Sequence, residues 1–296
     1  MEVVNTENCL RFANARSASF RTNYEYLGIP LGYKYIIRGV RQMTEKIFES
    51  IEVFTLNEIS EIVPAVDAVI NGKIMLLKLG SVFSFIYNPL FSGLTEKFNI
   101  LKNRENGQSM NIFGTYAQAK EIVDKNRVNE DFFSITPDFC SKIIVRIPVD
   151  PTISHPFPHN TKEGTVQFIN FEGLHPILNA FGKGLAEKGC AYTSITSGNI
   201  HGAPTIEDVE SAKKLVALFN IKASFLRMNN TQTVLTDVPA AKGDNKGSFI
   251  ILSFCNPNAI EVKRLANKVD REVTEKYLKK LLAELNTKTP LVYALQ

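Results

Sequence analysis

Apolar residues recur with a helical period in the segment that follows Asn57. The apolar positions there are Ile59, Ile62, Val63, Val66, Val69 and Ile70. Their spacing predicts an amphipathic helix, for which Asn57 is a suitable N-cap and Asn71-Gly72 a stop signal. The apolar run 73–77 that follows predicts a buried strand.

Similar patterns predict further elements along the chain. Helices are predicted over 94–101, from an N-cap at Thr115 to 123, from His175-Pro176 onwards and over 209–219. Strands are predicted over 110–113, 142–147, 164–171, 223–228 and 248–252. Residues 126–135 are charged and predict a loop. An apolar stripe near the C-terminus predicts one more helix, and its members are Leu265, Val269, Val273, Tyr277 and Leu281.

The stretch 193–205 is rich in small polar residues. Its hydroxyl and amide side chains offer hydrogen-bond donors and acceptors at short reach, and Gly198 and Gly202 permit close backbone approach. We expect Thr205 to cap the helix that follows, with Asp208 at the third position. Polar groups in front of a helix N-terminus suit an anionic ligand such as a phosphate. A polar loop that only turns the chain fits the same residues.

Length and composition narrow the class of protein. With 296 residues the chain can bury one large core, or one domain with extensions. The net charge of +4 is mild and no run of five like charges occurs, which argues against a dedicated polyanion-binding tail. The four cysteines lie far apart, which favours reduced thiols over a zinc site. We find no signal peptide and no apolar run of about 18 residues, and therefore expect a cytoplasmic protein that is not inserted in a membrane.

The histidines offer no catalytic or metal site. His155 and His159 share a proline-rich segment, for which an exposed loop is favoured over a zinc site because zinc requires further ligands. The chain has only four histidines, and none forms a plausible dyad with a serine or cysteine nucleophile. No metal ligands are therefore predicted.

The segment 196–205 resembles the Thr-Ser-Ala-Asn-x-Ser-Gly-x-Pro-Thr hallmark of the YrdC-like family. A second signature precedes it: Lys102-Asn103-Arg104 is similar to the Lys-Gly-Arg of the family, whose cations face nucleotide phosphates. A third lies after it, where the segment 232–235 resembles Ser-Thr-Val-Val and retains Thr233. The three signatures occur in the family's order.

Other segments depart from the family pattern. The family's substrate loop, Pro-Thr-Asp-Thr-x-Tyr-Gly-Leu, corresponds to residues 78–85, where only Ser81 and Phe83 are conservative replacements. Leu79 and Gly80 stand in place of the first threonine and the aspartate. The family motif Val-Arg-x-Pro is expected near 164–171, which contains no arginine.

The resemblance implies a fold and a division of the chain. We expect an α/β protein with an open, twisted, mixed sheet of YrdC-like type and flanking helices. The YrdC-like domain is expected over residues 56–262. Residues 1–55 would form an N-terminal extension and residues 263–296 a C-terminal helical tail.

The resemblance also implies an activity. The family makes threonylcarbamoyl-adenylate from threonine, bicarbonate and ATP for tRNA modification, so a nucleotidyltransferase is expected that uses ATP with Mg²⁺. Lys102 and Arg104 are the expected catalytic residues and also bind the nucleotide, and Ser81 and Phe83 are the expected substrate residues. The other expected nucleotide-binding residues are Thr196, Ser197, Asn199 and Thr233.

Two alternatives remain open at this point. One is a related carbamoylation of a different amine in a biosynthetic pathway. The other is a nucleotide- or RNA-binding protein on the same fold that has lost catalysis. Partners expected under the leading hypothesis are ATP, bicarbonate, an amino-acid-like amine and, transiently, the tRNA-modification machinery.

Overall fold

A computed structural model gives the fold of most of the chain. It describes residues 51–56, 59–79, 82–104, 110–136, 139, 143–153, 164–201, 204, 206–228, 233–237, 249–265, 271–285, 287 and 289–294. The predicted N-terminal extension therefore lies outside the described residues except for 51–55. Its boundary and that of the C-terminal tail stay predictions.

Helices and strands alternate along this part of the chain. The helices are α1 (Ile59–Ile70), α2 (Leu94–Lys102), α3 (Tyr116–Ile122), α4 (Pro176–Glu187), α5 (Val209–Phe225) and α6 (Arg271–Ala283). The strands are β1 (Val53–Thr55), β2 (Ile74–Leu79), β3 (Val82–Tyr87), β4 (Asn111–Gly114), β5 (Ile144–Pro148), β6 (Thr165–Asn170), β7 (Thr193–Ser197), β8 (Thr233–Asp237), β9 (Ile251–Asn256), β10 (Ala259–Arg264) and β11 (Leu291–Tyr293).

All of these strands belong to one sheet. Its order is β1-β8-β2-β3-β7-β4-β6-β5-β9-β10-β11, so β1 and β11 form the two edges. Parallel pairs, such as β2 with β8 and β4 with β6, occur beside antiparallel pairs, such as β3 with β7. The prediction of an open, mixed α/β sheet with flanking helices is confirmed.

Apolar side chains cover both faces of the sheet. On one face, α1 and α4 pack over a cluster that includes Met75, Ile86 and Ile195. On the other face, α2 and α5 pack over β2, β3 and β8, while α3 and α6 pack over the strands from β4 to β10. Phe85 of β3 stacks on Phe219 of α5 with ring centroids 4.7 Å apart. This packing of helices on both faces of the sheet fixes α2 and α5 against the strands that carry the candidate site.

The patterns located most elements correctly. Helix α3 has the predicted N-cap, because the Thr115 side chain accepts a hydrogen bond from Gln118 N in a capping box. Helix α4 begins after His175, whose side chain accepts from Ile177 N. Residues 126–135 are not entirely loop, since Glu130–Ser134 form a 3-10 helix.

The prediction for α5 was wrong at both ends. Its N-cap is Asp208, whose carboxylate accepts from Ser211 N at 2.7 Å, and not Thr205. The helix continues to Phe225 and ends where Arg227 adopts a φ of 55°, so the strand predicted over 223–228 does not form. A short apolar run does not by itself distinguish a strand from a buried helical turn.

The C-terminal segment contains a strand as well as the predicted helix. On α6 the buried positions are Thr274 and Leu278, whereas Val273 of the predicted stripe is 57% exposed. Each step of four residues turns about 40° further around the helix axis than a full turn. A stripe of residues spaced by four therefore winds around the helix, and Val273 lies off the packed face. Strand β11 then pairs in parallel with β10 and extends the sheet.

Among the described residues, no helix is both long enough and apolar enough to cross a membrane.

Candidate functional site

The C-terminus of α2 brings two basic residues to the end of β7. The helix ends at Lys102, and Asn103 adopts a left-handed conformation with φ 56°. Arg104 N then donates to Asn99 O at 2.9 Å, which folds the chain back over the last turn. Asparagine is one of the few residues that accepts this conformation readily. Both basic side chains consequently point towards β7, more than 90 residues later in the sequence.

Lys102 is buried, and its hydrogen-bond partners in the described part of the chain are all uncharged oxygens. Its side chain has no accessible surface. The Nζ atom donates to Ser197 O at 2.5 Å, to Thr196 Oγ1 at 3.1 Å and to Ser197 Oγ at 3.3 Å. It also lies 5.8 Å from the centre of the Phe85 ring.

Arg104 reaches the same threonine from the other side. Its Nη2 donates to Thr196 Oγ1 at 2.7 Å, and Nη1 contacts the Met110 sulfur at 2.9 Å. Its Nε is buried and finds no hydrogen-bond partner among the residues that the structure describes. A guanidinium with an unused buried donor retains capacity to bind a further acceptor.

The two cations lack a counter-ion within the described residues, where neither contacts a carboxylate. Burial, followed by the nearby charge of Arg104, lowers the pKa of Lys102 to about 6. Burial also lowers the pKa of Arg104. Buried charges in proteins are normally paired with opposite charges or with ligands. The cluster is therefore suited to an anion that compensates both groups.

The loop after β7 completes the cluster. Ser197 Oγ donates to Asn199 Oδ1 at 2.6 Å, which links the asparagine to the Lys102 network. His201 N donates to Lys102 O at 3.0 Å and ties the loop to the end of α2. Gly198 N donates to Phe83 O at 2.7 Å, so the loop also lies against β3. A Cβ at Gly198 would lie 2.5 Å from Phe83 O, and hence only glycine fits there without a shift of the backbone.

The structure thus brings together five of the predicted site residues: Lys102, Arg104, Thr196, Ser197 and Asn199. We call this group the β7 cluster. Thr233 lies outside it. This threonine is on β8, three strands from β7 and therefore about 14 Å away across the sheet. Its backbone is bonded to the Asn220 side chain, and its buried hydroxyl has no hydrogen-bond partner within the described ranges.

The predicted substrate residues have a different environment. Phe83 has no accessible surface and packs in the core under α2 and α5. Leu79, which replaces the family's threonine, is also buried. Ser81 lies outside the described residues.

Sequence reasoning missed one arginine. The motif Val-Arg-x-Pro, expected near 164–171, is present as Val145-Arg146-Ile147-Pro148 on β5, one strand further along the sheet from β6. Arg146 is 6% exposed, and its Nε donates to Thr165 Oγ1 at 3.0 Å. A search for the four-letter motif along the whole chain, without an assumed position, finds it.

No other described region resembles a catalytic centre. The described residues contain no group of three or more His, Cys, Asp or Glu side chains able to hold a metal ion. A surface depression of about 510 Å³ lies beside α3 and is lined in part by Asp124 and Asp150. Both carboxylates accept hydrogen bonds within their own turns, Asp124 from Asn126 N and Asp150 from Thr152 N. None of the predicted site residues lines this depression.

Comparison with known proteins supports the fold. No family model and no curated protein matches the chain. Among solved structures, P. abyssi Sua5 in complex with L-threonine superposes with a TM-score of 0.56 at 13% identity, covering 81% of this chain and 62% of that chain. E. coli YciO gives 0.53 at 13% identity, covering 72% and 94% respectively. A hypothetical protein from Streptococcus mutans gives 0.55 at 10% identity, covering 83% and 98%.

The match differs in extent between these proteins, because the chain spans only 62% of the Sua5 length but nearly all of YciO. Identities of 13% establish a shared architecture, and a shared fold does not fix an activity. The chain has the fold of Sua5 and YciO, and the resemblance to the YrdC-like family that its sequence motifs predicted is confirmed at the level of the fold.

Proposed function

We propose that this protein is a nucleotidyltransferase of YrdC type that binds ATP at the β7 cluster and forms a carbamoyl-adenylate on an amino-acid-like amine. The observation that carries the proposal is the pair of basic residues formed by the buried Lys102 and the partly buried Arg104, which have no carboxylate partner in the described part of the chain. A polyphosphate supplies the missing negative charge.

The donors of the cluster fit phosphate oxygens. Arg104 offers a planar fork with an unused Nε, and Lys102 offers a compact point charge. The Ser197 hydroxyl and the Asn199 amide, at the end of β7, supply shorter-range hydrogen bonds. Charge-assisted bonds of this kind are the strong ones in proteins.

The proposed reaction needs charge neutralisation more than a protein nucleophile. The amine nitrogen first forms a bond to the carbon of bicarbonate, a C–O bond of bicarbonate breaks, and water leaves to give a carbamate. A carbamate oxygen then forms a bond to the α-phosphorus of ATP, and the bond from that phosphorus to the β-phosphate oxygen breaks, which releases pyrophosphate. Lys102 and Arg104 would stabilise negative charge on the phosphates and hold them in line for attack.

Mg²⁺ would enter with ATP. The described residues hold no carboxylate cage for it, and Mg²⁺ commonly binds substrate phosphates while it keeps several water ligands. Its contribution would be to neutralise charge on the β- and γ-phosphates.

The acceptor is proposed to be an amine other than threonine, or threonine bound weakly. Where the family places a threonine and a tyrosine, this chain has Leu79 and Phe83, and both side chains are buried in the apolar core. A site without a hydrogen-bond partner for the substrate hydroxyl gives up most of its discrimination for that hydroxyl. L-threonine is bound by P. abyssi Sua5, and it is therefore the reference substrate for comparison.

Pyrophosphate release tests the proposal. The protein is incubated with ATP, Mg²⁺ and labelled bicarbonate against threonine, serine, other amino acids and simple amines, and adducts are identified by mass spectrometry. Release with an amine, lost in Lys102→Met, supports the enzyme. Threonine preferred by a large factor would show that the acceptor assignment is wrong. ATP binding without release for any amine would favour the non-catalytic nucleotide-binding protein.

A further inference from the structure

The last turn of α2 determines where Lys102 and Arg104 lie, and its carbonyl groups need partners. A helix leaves its last four carbonyls without partners inside the helix; here these belong to residues 99–102. The turn itself satisfies two of them. Arg104 N donates to Asn99 O at 2.9 Å, and Asn103 N donates to Ile100 O at 3.2 Å.

The other two carbonyls are bonded from outside the helix. His201 N, in the loop after β7, donates to Lys102 O at 3.0 Å. Lys222 of α5 donates from Nζ to Leu101 O at 3.2 Å. The same ammonium donates to Ile100 O at 2.7 Å and to Asn103 Oδ1. Lys222 therefore binds three acceptors of one turn, including the side chain of the residue in the left-handed conformation.

Helix α5 is a firm base for this contact. Phe219, one turn before Lys222, stacks on Phe85 of β3 and lies 6.3 Å from Phe98 of α2. The side chain of Lys222 therefore extends from a helix that is packed against the sheet. An ammonium at a helix C-terminus is also favoured by the partial negative charge of the carbonyls.

We propose that Lys222 is a positioning residue that holds the C-terminal turn of α2, and with it Lys102 and Arg104, in the geometry that binds the nucleotide. That the ligand is a nucleotide rests on the proposed function. The effect of Lys222 on the conformation of the turn does not depend on that function. Lys222 touches the backbone that carries the two cations and donates to no side chain of the β7 cluster.

The helix does not need Lys222 in order to form. Leu94, Phe98 and Leu101 anchor α2 in the core. Loss of the ammonium leaves the carbonyls of Ile100 and Leu101 at a surface that water can reach, since Ile100 is 44% exposed. Only the end of the helix is expected to loosen, because local opening is confined to segments with few buried contacts.

Amide hydrogen exchange tests the positioning role without any ligand. In Lys222→Ala, the amides of Asn103, Arg104 and His201 are expected to exchange at least about tenfold faster, while those of the α5 interior keep their protection. Lys222→Arg keeps the cation and the donors and should restore most of the protection. Lys214→Ala removes an exposed lysine of the same helix and serves as the control, with no change at the three amides.

ATP titration then tests the functional consequence. Lys222→Ala is expected to lose about fivefold to tenfold in ATP affinity, with Lys222→Arg recovering it and Lys214→Ala unaffected. Unchanged exchange at all three amides in Lys222→Ala would overturn the positioning role. Faster exchange with unchanged ATP affinity would overturn the link to the site. If the wild-type protein binds no ATP, the proposed function fails, and faster exchange in Lys222→Ala alone would still support the positioning of the turn.

Discussion

Two basic regions of the sheet differ in how their charge is balanced. In the β7 cluster, Lys102 is fully buried, and the oxygens it is bonded to in the described part of the chain are all neutral. On β10, Lys263 lies 2.8 Å from Glu261, and the carboxylate and its lysine are each about one-fifth exposed. The hydrogen bond from Lys263 lowers the pKa of Glu261, whereas burial lowers the pKa of Lys102 to about 6. The burial of Lys102 lowers folding stability, whereas the ion pair between Lys263 and Glu261 does not.

The difference indicates which region has a ligand to bind. Lys102 is buried and Arg104 partly buried with no acidic partner among the described residues, and this arrangement carries a desolvation cost that packing alone does not offset. Perturbed lysines of this kind concentrate at functional sites. The paired lysine on β10 is explained by local structure. Lys102, at the end of α2, has no acidic partner among the described residues and is suited to an anionic ligand.

The largest expected effect is a gain of stability when Lys102 is removed. Lys102 titrates at about 6 in the folded protein and at 10.5 in the unfolded chain, so at pH 7 its burial costs on the order of 4 kcal/mol. Methionine fills a similar volume but loses three hydrogen bonds worth about 1 kcal/mol each. Lys102→Met is therefore expected to be more stable than wild type by roughly 1–2 kcal/mol in chemical denaturation at pH 7.

The gain in stability from Lys102→Met is expected to decrease as the pH rises. Between about pH 6 and 10.5 the unfolded chain holds the lysine proton and the folded protein does not. The unfolding free energy of the wild type therefore rises with pH through that window. The advantage of Lys102→Met should be largest near pH 6, should vanish near about pH 8 where the burial cost equals the hydrogen bonds lost, and should become a disadvantage towards pH 10.5. An advantage that stays constant with pH would contradict the assigned protonation state.

ATP affinity should depend on pH through the same group. A bound phosphate favours the protonated amine, so binding is expected to draw a proton onto Lys102. Above about pH 7.5 the phosphate, whose pKa lies near 6, is already fully ionised. In that range the affinity for ATP should fall by up to about tenfold per pH unit, because each bound ATP requires one more proton on Lys102. Calorimetry in buffers of different ionisation enthalpy would measure the proton uptake. A wild-type profile as flat as that of Lys102→Met would argue against the coupling.

The Asn199 amide should contribute less than the buried cation. Asn199→Ala removes a donor and frees Ser197 Oγ from its partner at 2.6 Å, and we expect ATP affinity to fall by about tenfold. Asn258→Ala, in the exposed turn between β9 and β10, is the matched control and should bind ATP as the wild type does. Equal affinity in the two variants would remove Asn199 from the site.

The smallest effect on stability and on ATP affinity is expected at Lys263, which is paired with Glu261. Lys263→Met breaks a partly exposed ion pair and should lower the unfolding free energy by about 1 kcal/mol or less. ATP affinity should stay within about twofold of wild type. The two lysine-to-methionine changes are thus predicted to have opposite signs in stability. A stabilising Lys263→Met together with a destabilising Lys102→Met would reverse the comparison.

Local sequence patterns predicted most of the fold, because they report which face of an element is apolar. Helix α1 and the Thr115 cap are examples, since each depends on residues within one or two turns. The patterns failed at the end of α5. There the apolar residues of 223–228 fit a strand or a helix equally well, and packing against the sheet decides between them.

The candidate site was predictable only in part. The motif resemblance linked Lys102 and Arg104 with Thr196, Ser197 and Asn199 across more than 90 residues, and the contacts between them agree with that link. It did not reveal that Phe83 is buried, that Thr233 lies three strands from β7, or that Lys222 holds the turn. These features depend on the order of strands and on contacts between distant segments, for which the local sequence carries no signal.

The most direct test of the account is a titration of ATP with Mg²⁺ into the wild-type protein, Lys102→Met and Lys263→Met at pH 7. Loss of a charged hydrogen-bond partner typically costs about 1.5–3 kcal/mol, so Lys102→Met should bind ATP about tenfold to a hundredfold more weakly. Lys263→Met should bind it as the wild type does. Equal ATP affinity in all three proteins, or loss of affinity in Lys263→Met alone, would contradict the claim that the unpaired cations at the end of β7 form the nucleotide site.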